Sequence, residues 1–178
     1  MYSTDILWLE TVTWREVQAA VDHHMQLYAG RIDFLTFVAD SIADHLQALD
    51  PVMDAICAAT CTRCPNPCCL HADVRYDFRD ILFLHCRHEG LPLHQPKLTT
   101  GWSCSFLDLD GCALPRSLRP FLCNWYLCPG QMQIVRGDSS PDMAHVLQSL
   151  QSIQQQRKDL EDEFIRLVLM HTRQSKAL

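Results

Sequence analysis

Apolar positions recur at helical spacing near both ends of this chain and lose that rhythm in between. In the N-terminal third, Val17, Ala20, Val21, His24, Leu27 and Tyr28 return every three or four residues, which predicts one amphipathic helix. Thr13 followed three residues on by Glu16 is a capping-box start for it, and Gly30 is its expected end. A second stripe of Ile32, Leu35, Val38, Ile42, Leu46 and Leu49 holds the same period up to Asp50-Pro51. Proline has no amide proton, so Pro51 predicts either a stop or the first turn of a further helix through Val52, Ala55, Ile56 and Ala59. Nearer the C-terminus, Ser140-Pro141-Asp142 reads as cap, first helical position and acidic first turn. The long helix it opens carries an apolar face of Met143, Val146, Leu150, Ile153, Leu160, Phe164 and Leu167, interrupted by the polar run 154–158.

Seven of the nine prolines fall between residues 57 and 130, where long regular elements are therefore not expected. The predicted architecture is mainly α and a single domain over 1–178. N-terminal helices (1–56) and a C-terminal helix (131–178) pack around a loop-rich, cysteine-rich metal-binding centre (57–130). A chain of 178 residues, 48% of them hydrophobic, suffices for one core.

Charge narrows the partners. Fifteen Lys and Arg against 21 Asp and Glu leave a net charge of -6, whose field repels nucleic acid and anionic membrane surfaces. No apolar run approaches the roughly 18 residues of a membrane span. The N-terminal stretch lacks the basic start and apolar run of a secretion signal, so a cytoplasmic location is expected.

All ten cysteines lie between Cys57 and Cys128. Thiols serving as ordinary small core residues would be scattered, whereas a site that gathers sulfur draws on one segment. The first group is Cys61, Cys64, Cys68 and Cys69. Two cysteines separated by two residues direct both sulfurs to one metal across a tight turn. Adjacent Cys68 and Cys69 diverge, so they serve two metals or one of them is a bystander. The second group is Cys104, Cys112, Cys123 and Cys128, with turns expected at Asp110-Gly111 and Arg119-Pro120. Eight thiolates suit two four-coordinate zinc sites or iron–sulfur clusters, and the count does not separate zinc from iron. In a reducing compartment, metal is expected over disulfides.

This arrangement of Cys61, Cys64, Cys68-Cys69, Cys104-x-Phe-Leu, Asp-Gly-Cys112, Arg119-Pro120-x-x-Cys123 and Cys128 resembles the cysteine-cluster proteins named for a CxxCxxCC motif and described as zinc- or iron-chelating. The likeness covers residues 61–128, and this chain has three residues rather than two between Cys64 and the pair. It implies a metal-chelating domain with Cys61, Cys64, Cys68, Cys69, Cys104, Cys112, Cys123 and Cys128 as ligands. Some relatives are labelled iron–sulfur oxidoreductases, and a flagellin lysine methylase has a similar motif.

Two cysteines stand outside that set. Cys57, in the apolar frame Ile56-Cys57-Ala58-Ala59, reads as core, and Cys86 as a spare thiol near the cluster. His85, His88 and His94 read as surface residues or as supports of the metal ligands, and His24 as a satisfied core histidine. Asp73, Asp77 and Asp80 with Arg75 and Arg79 read as a solvated face or helix caps, and Arg119 as a structural donor to sulfur or to loop carbonyls. Trp102, Phe106, Trp125 and Tyr126 flank the second group, to shield metal or fill a small core. No glycine-rich phosphate loop, hydrolase triad or metalloprotease signature is present. Three functions are expected in order: a metal-binding protein whose helical surfaces face a protein partner, an iron–sulfur oxidoreductase or metal-dependent modifying enzyme, and a metal carrier.

Overall fold

The computed structural model describes residues 14–89, 92–96, 103–109, 111–137 and 141–175. Helix α1 spans Trp14–Leu27, α2 Asp33–Thr60, α3 Cys68–His71 and α4 Phe78–Cys86. An antiparallel ribbon of β1 (Leu107–Asp108) and β2 (Gly111–Cys112) follows, then α5 (Phe121–Trp125), α6 (Pro129–Gly137) and α7 (Pro141–Ser175). The chain is mainly α, as its apolar spacing predicts. Thr13, Trp102, Asp110 and Ser140, to which expectations were attached, lie outside the described residues.

The buried stripe of α1 is Val17, Val21 and Met25, continued by Tyr28 just past its end, stepping by four and then three. That path turns the core face away from Leu27, which is half-exposed, and from exposed Ala20. The helix ends at Leu27, and Gly30 falls in a short 3-10 turn, Ala29–Arg31.

Pro51 neither stops α2 nor opens a new helix: α2 runs through it for 28 residues. Pro51 sits on the exposed side, so the carbonyl of Gln47, deprived of its usual donor, faces water. The interior proline costs about 3 kcal/mol. Against it stands an unbroken buried face, Leu46, Leu49, Met53 and Ile56, on both sides of the proline.

The described part of the cysteine-rich segment is loop-rich with short helices, and one of those helices enters the core. Helix α4, from within the cysteine-rich segment, buries Ile81, Leu82, Phe83, Leu84 and Cys86 and packs on α1, α2 and α7. Nearly its whole circumference is apolar, so it needs neighbours all round. Apart from Cys86, the cysteines are exposed or half-buried around this core. Helix α7 lies along α2 and α4 and buries Val146, Leu150, Ile153, Leu160, Phe164 and Leu167. The polar interruption in its face is filled by Arg157, only 4% exposed.

Candidate metal centre

Arg157 is buried because it has partners. Asp77 caps α4 by accepting from the Asp80 amide at 2.8 Å, and Asp80 accepts in return from the Asp77 amide at 3.0 Å. Asp80 Oδ1 also accepts from Arg157 Nη1 at 2.6 Å and from the Phe121 amide at 3.0 Å. Arg157 Nη2 holds both Asp77 oxygens, at 2.7 and 2.8 Å, and the guanidinium lies 4.6 Å above the Phe121 ring. Burial pushes the Asp80 carboxyl up to about 6, against the pull of Arg157. Asp77 is the cap the sequence implies, but Asp80 is no solvated face: it is buried and joins α4, α7 and the start of α5. Arg79 pairs with Glu161 at 2.7 Å, and Arg75 with Asp73 at 3.3 Å on the surface.

That carboxylate fixes the backbone two residues before Cys123. The next turn is closed by the Cys123 amide donating to Pro120 O at 2.8 Å. Cys112 is set by the ribbon, in register with Leu107, where Gly111 adopts φ +119°, a conformation that favours glycine. Cys104 is drawn to the first group by its amide, which donates to Cys69 O at 2.9 Å. Three separate segments thus place sulfurs around Cys69 and Cys123. Cys68, Cys104 and Cys123 all act on Cys69, and Cys112, Cys104 and Cys68 all act on Cys123.

Their protons are unevenly shared. The Cys69 thiol donates to Cys68, which holds Cys68 down at about 6 and pushes Cys69 up. Cys123 keeps exposed surface, yet the chain crowded around its sulfur pushes it up to about 12, with the neighbouring thiols adding to the effect. Beneath them Tyr76 is raised by burial, then by Asp80 and the sulfurs, while its hydroxyl donates to Leu118 O at 2.6 Å. Thiolate donors in this number fit zinc or an iron–sulfur cluster. Among the described residues no three such side chains already stand in metal-holding positions. Thiolate sites commonly close only as the ion displaces their protons.

The other expected ligands are placed differently. Cys61 lies just beyond the end of α2, one helical turn after Cys57, and its amide donates to Cys57 O. Gln131 Nε2 donates to both sulfurs, at 3.6 Å for Cys57 and 3.7 Å for Cys61. Gln131 Oε1 accepts from the amide of Cys128, which caps α6. Cys64 is exposed on the turn after Cys61, its amide donating to Cys61 O at 3.1 Å, and among the described residues no hydrogen bond ties its sulfur to another.

The roles expected for the two remaining cysteines are exchanged. Cys57 is half-buried against another sulfur, and its signal was the i, i+4 spacing to Cys61. Cys86 is the core thiol, 1% exposed and pushed by burial up to about 12. Arg119 is the structural donor expected, its Nε reaching Leu114 O at 2.9 Å. His94 stacks on Phe106 at 5.2 Å, and His85 Nδ1 lies 2.9 Å from Ile81 O. His24 is half-buried between Tyr28 and Phe164, but its Nδ1 has no hydrogen-bond partner among the described residues, so it is not satisfied. Trp125 and Tyr126 are nearly half-exposed and fill no core.

Among the described residues no helix is long and apolar enough to cross a membrane. Comparison with protein families, with curated proteins and with solved structures finds no match to this chain, and the likeness to the cysteine-cluster proteins rests on the cysteine spacing alone.

Proposed function

We propose that this chain is a cytoplasmic metal-binding protein whose clustered thiolates hold zinc or iron, the iron as an iron–sulfur cluster. The observation that carries this reading is the convergence of Cys68, Cys69, Cys104, Cys112 and Cys123 from three separate segments. Burying or crowding five thiols together has no packing advantage over aliphatic residues, and like charges on them repel unless a cation intervenes. Four of the five complete a tetrahedral ion or one cluster. A fifth sulfur, within the vicinal pair Cys68-Cys69, favours a second reading as a metal carrier, because an extra thiolate offers an exchanging ion a path out of the site.

The test is the iron, zinc and acid-labile sulfide content of protein purified without oxygen, with Cys104→Ser and Cys123→Ser alongside. One metal or cluster per chain, lost in both variants while the helical signal persists, supports the proposal. A metal-free chain with ten titratable thiols refutes it. Iron with matching sulfide selects electron transfer or redox catalysis, and zinc without sulfide selects a structural or carried ion.

A further inference from the structure

A second sulfur site lies apart from the five-thiol group, at the end of α2. Cys57 and Cys61, one helical turn apart, stand on one side of the helix end, where the Cys61 amide donates to Cys57 O. The groups acting on Cys57 are Cys61, Arg116 and Arg119, a different set from those acting on Cys69 and Cys123. Gln131 is 6% exposed and gives its Nε2 donors to these two sulfurs. A thiol is a weak acceptor, so a buried amide committed to two of them is poorly repaid while they stay protonated. It is well repaid once they are thiolates, because charge-assisted hydrogen bonds are about twice as strong. Amide donors to ligand sulfur are also the supporting contacts that orient and tune metal thiolates.

We propose that Cys57 and Cys61 form a two-sulfur site for a soft monovalent cation, Cu(I), with Gln131 as the donor that holds both sulfurs in place. Soft thiolates select Cu(I), which two of them suffice to bind in a linear arrangement. The two sulfurs that Gln131 Nε2 reaches are the number a linear Cu(I) site takes. Two thiolates and one monovalent cation leave a single negative charge in the field of Arg119 and of Arg116, the latter already paired with Asp50 and Asp54. Binding forms two Cu–S bonds, the thiol protons pass to solvent, and nothing is oxidised or reduced.

The assay is anaerobic competition for Cu(I) between the whole chain and a chromophoric Cu(I) chelator. Parent protein and a Cys86→Ala control should share a tight class of one Cu(I) that Cys57→Ser and Cys61→Ser both lack. Gln131→Glu keeps the oxygen that accepts from Cys128 but removes the amide donor, and should weaken that class by roughly 10–100-fold. Cys57→Ala serves in place of the serine variant should the latter lose its helical signal. Equal Cu(I) number and affinity in the parent and the Cys57 variants overturns the proposal. Zinc, iron and sulfide content reports on the five-thiol group, and the Cu(I) class lost on substituting Cys57 or Cys61 reports on this pair, so either reading fails without the other.

Discussion

Removing Arg157 should harm the fold less than removing Asp80, and only the first loss should fade in mild acid. Asp80→Ala strands a guanidinium at 4% exposure that cannot shed its proton. Breaking a buried pair in this way costs about 3–5 kcal/mol. Half-exposed Asp77 still holds Arg157 at 2.7 Å, so the loss belongs near the lower end, ~3 kcal/mol. Arg157→Met strands a carboxyl that escapes by taking up a proton. Burial already pushes Asp80 up to about 6 with the cation present, and without Arg157 it titrates higher still. Between the ordinary value near 3.9 and that raised value, the folded variant carries a proton that the unfolded chain lacks. Its stability therefore rises as pH falls, by about 1.4 kcal/mol per pH unit. Above about 6 the parent gains nothing, because Asp80 is ionised in both its states. The Arg157→Met deficit should thus shrink by up to ~2 kcal/mol from about pH 7.5 to about pH 6, while that of Asp80→Ala stays constant. Urea unfolding followed by far-UV circular dichroism at the two pH values measures both. An Arg157→Met deficit as large as that of Asp80→Ala, and equal at both pH values, would refute the reasoning.

Three further outcomes follow from single residues. Pro51→Ala restores a donor to Gln47 O and should stabilise the chain by roughly 2 kcal/mol, the helix-interior cost of proline less the entropy it removes from the unfolded chain, read as a higher urea midpoint. His88 occupies the φ +52° position that ends α4, where its amide donates to His85 O and the Glu89 amide to Leu84 O. Glycine is the residue this helix end prefers, so His88→Gly should add about 0.5–1 kcal/mol, and a loss of stability would show that the imidazole holds the turn. In the metal-free chain Cys68 should be the first thiol alkylated, with its rate halving near pH 6 and falling below it, while Cys86 and Cys123, near 12, stay unmodified. Peptide mapping after brief exposure checks this, and half-rate at the ordinary thiol value of about 8.5 contradicts it.

The long helices were legible because their apolar positions repeat over many turns, and α7 begins at the Pro141 its start signal indicates. Pro51 misleads because local chemistry opposes a helix that burial on the opposite face sustains. Arg157 read as an interruption for a similar reason: its counter-ion lies 77 positions away on α4, and no local pattern announces a partner at that distance. Clustering along the chain drew attention to the right segment, but not to how its sulfurs divide. That division depends on the turn beginning at Phe121, on the ribbon and on Gln131, each of which is fixed by contacts distant in sequence. Cys57 and Cys86 show the limit plainly, since Cys57 has apolar neighbours in the chain and Cys86 stands between His85 and Arg87, yet the fold encloses Cys86.

Pro51 leaves α2 continuous but one backbone rung short. The stretch before it, from Asp33, buries Leu35, Val38, Ala39, Ile42, Leu46 and Leu49. The shorter stretch after it buries Met53 and Ile56 and leads to Cys57 and Cys61, while Asp50 and Asp54 hold Arg116 from either side of the proline. With one backbone hydrogen bond absent between them, bending is concentrated at that joint. Ion capture at the far end of the helix can then tilt a short lever against Arg116 without disturbing the packing of the longer one.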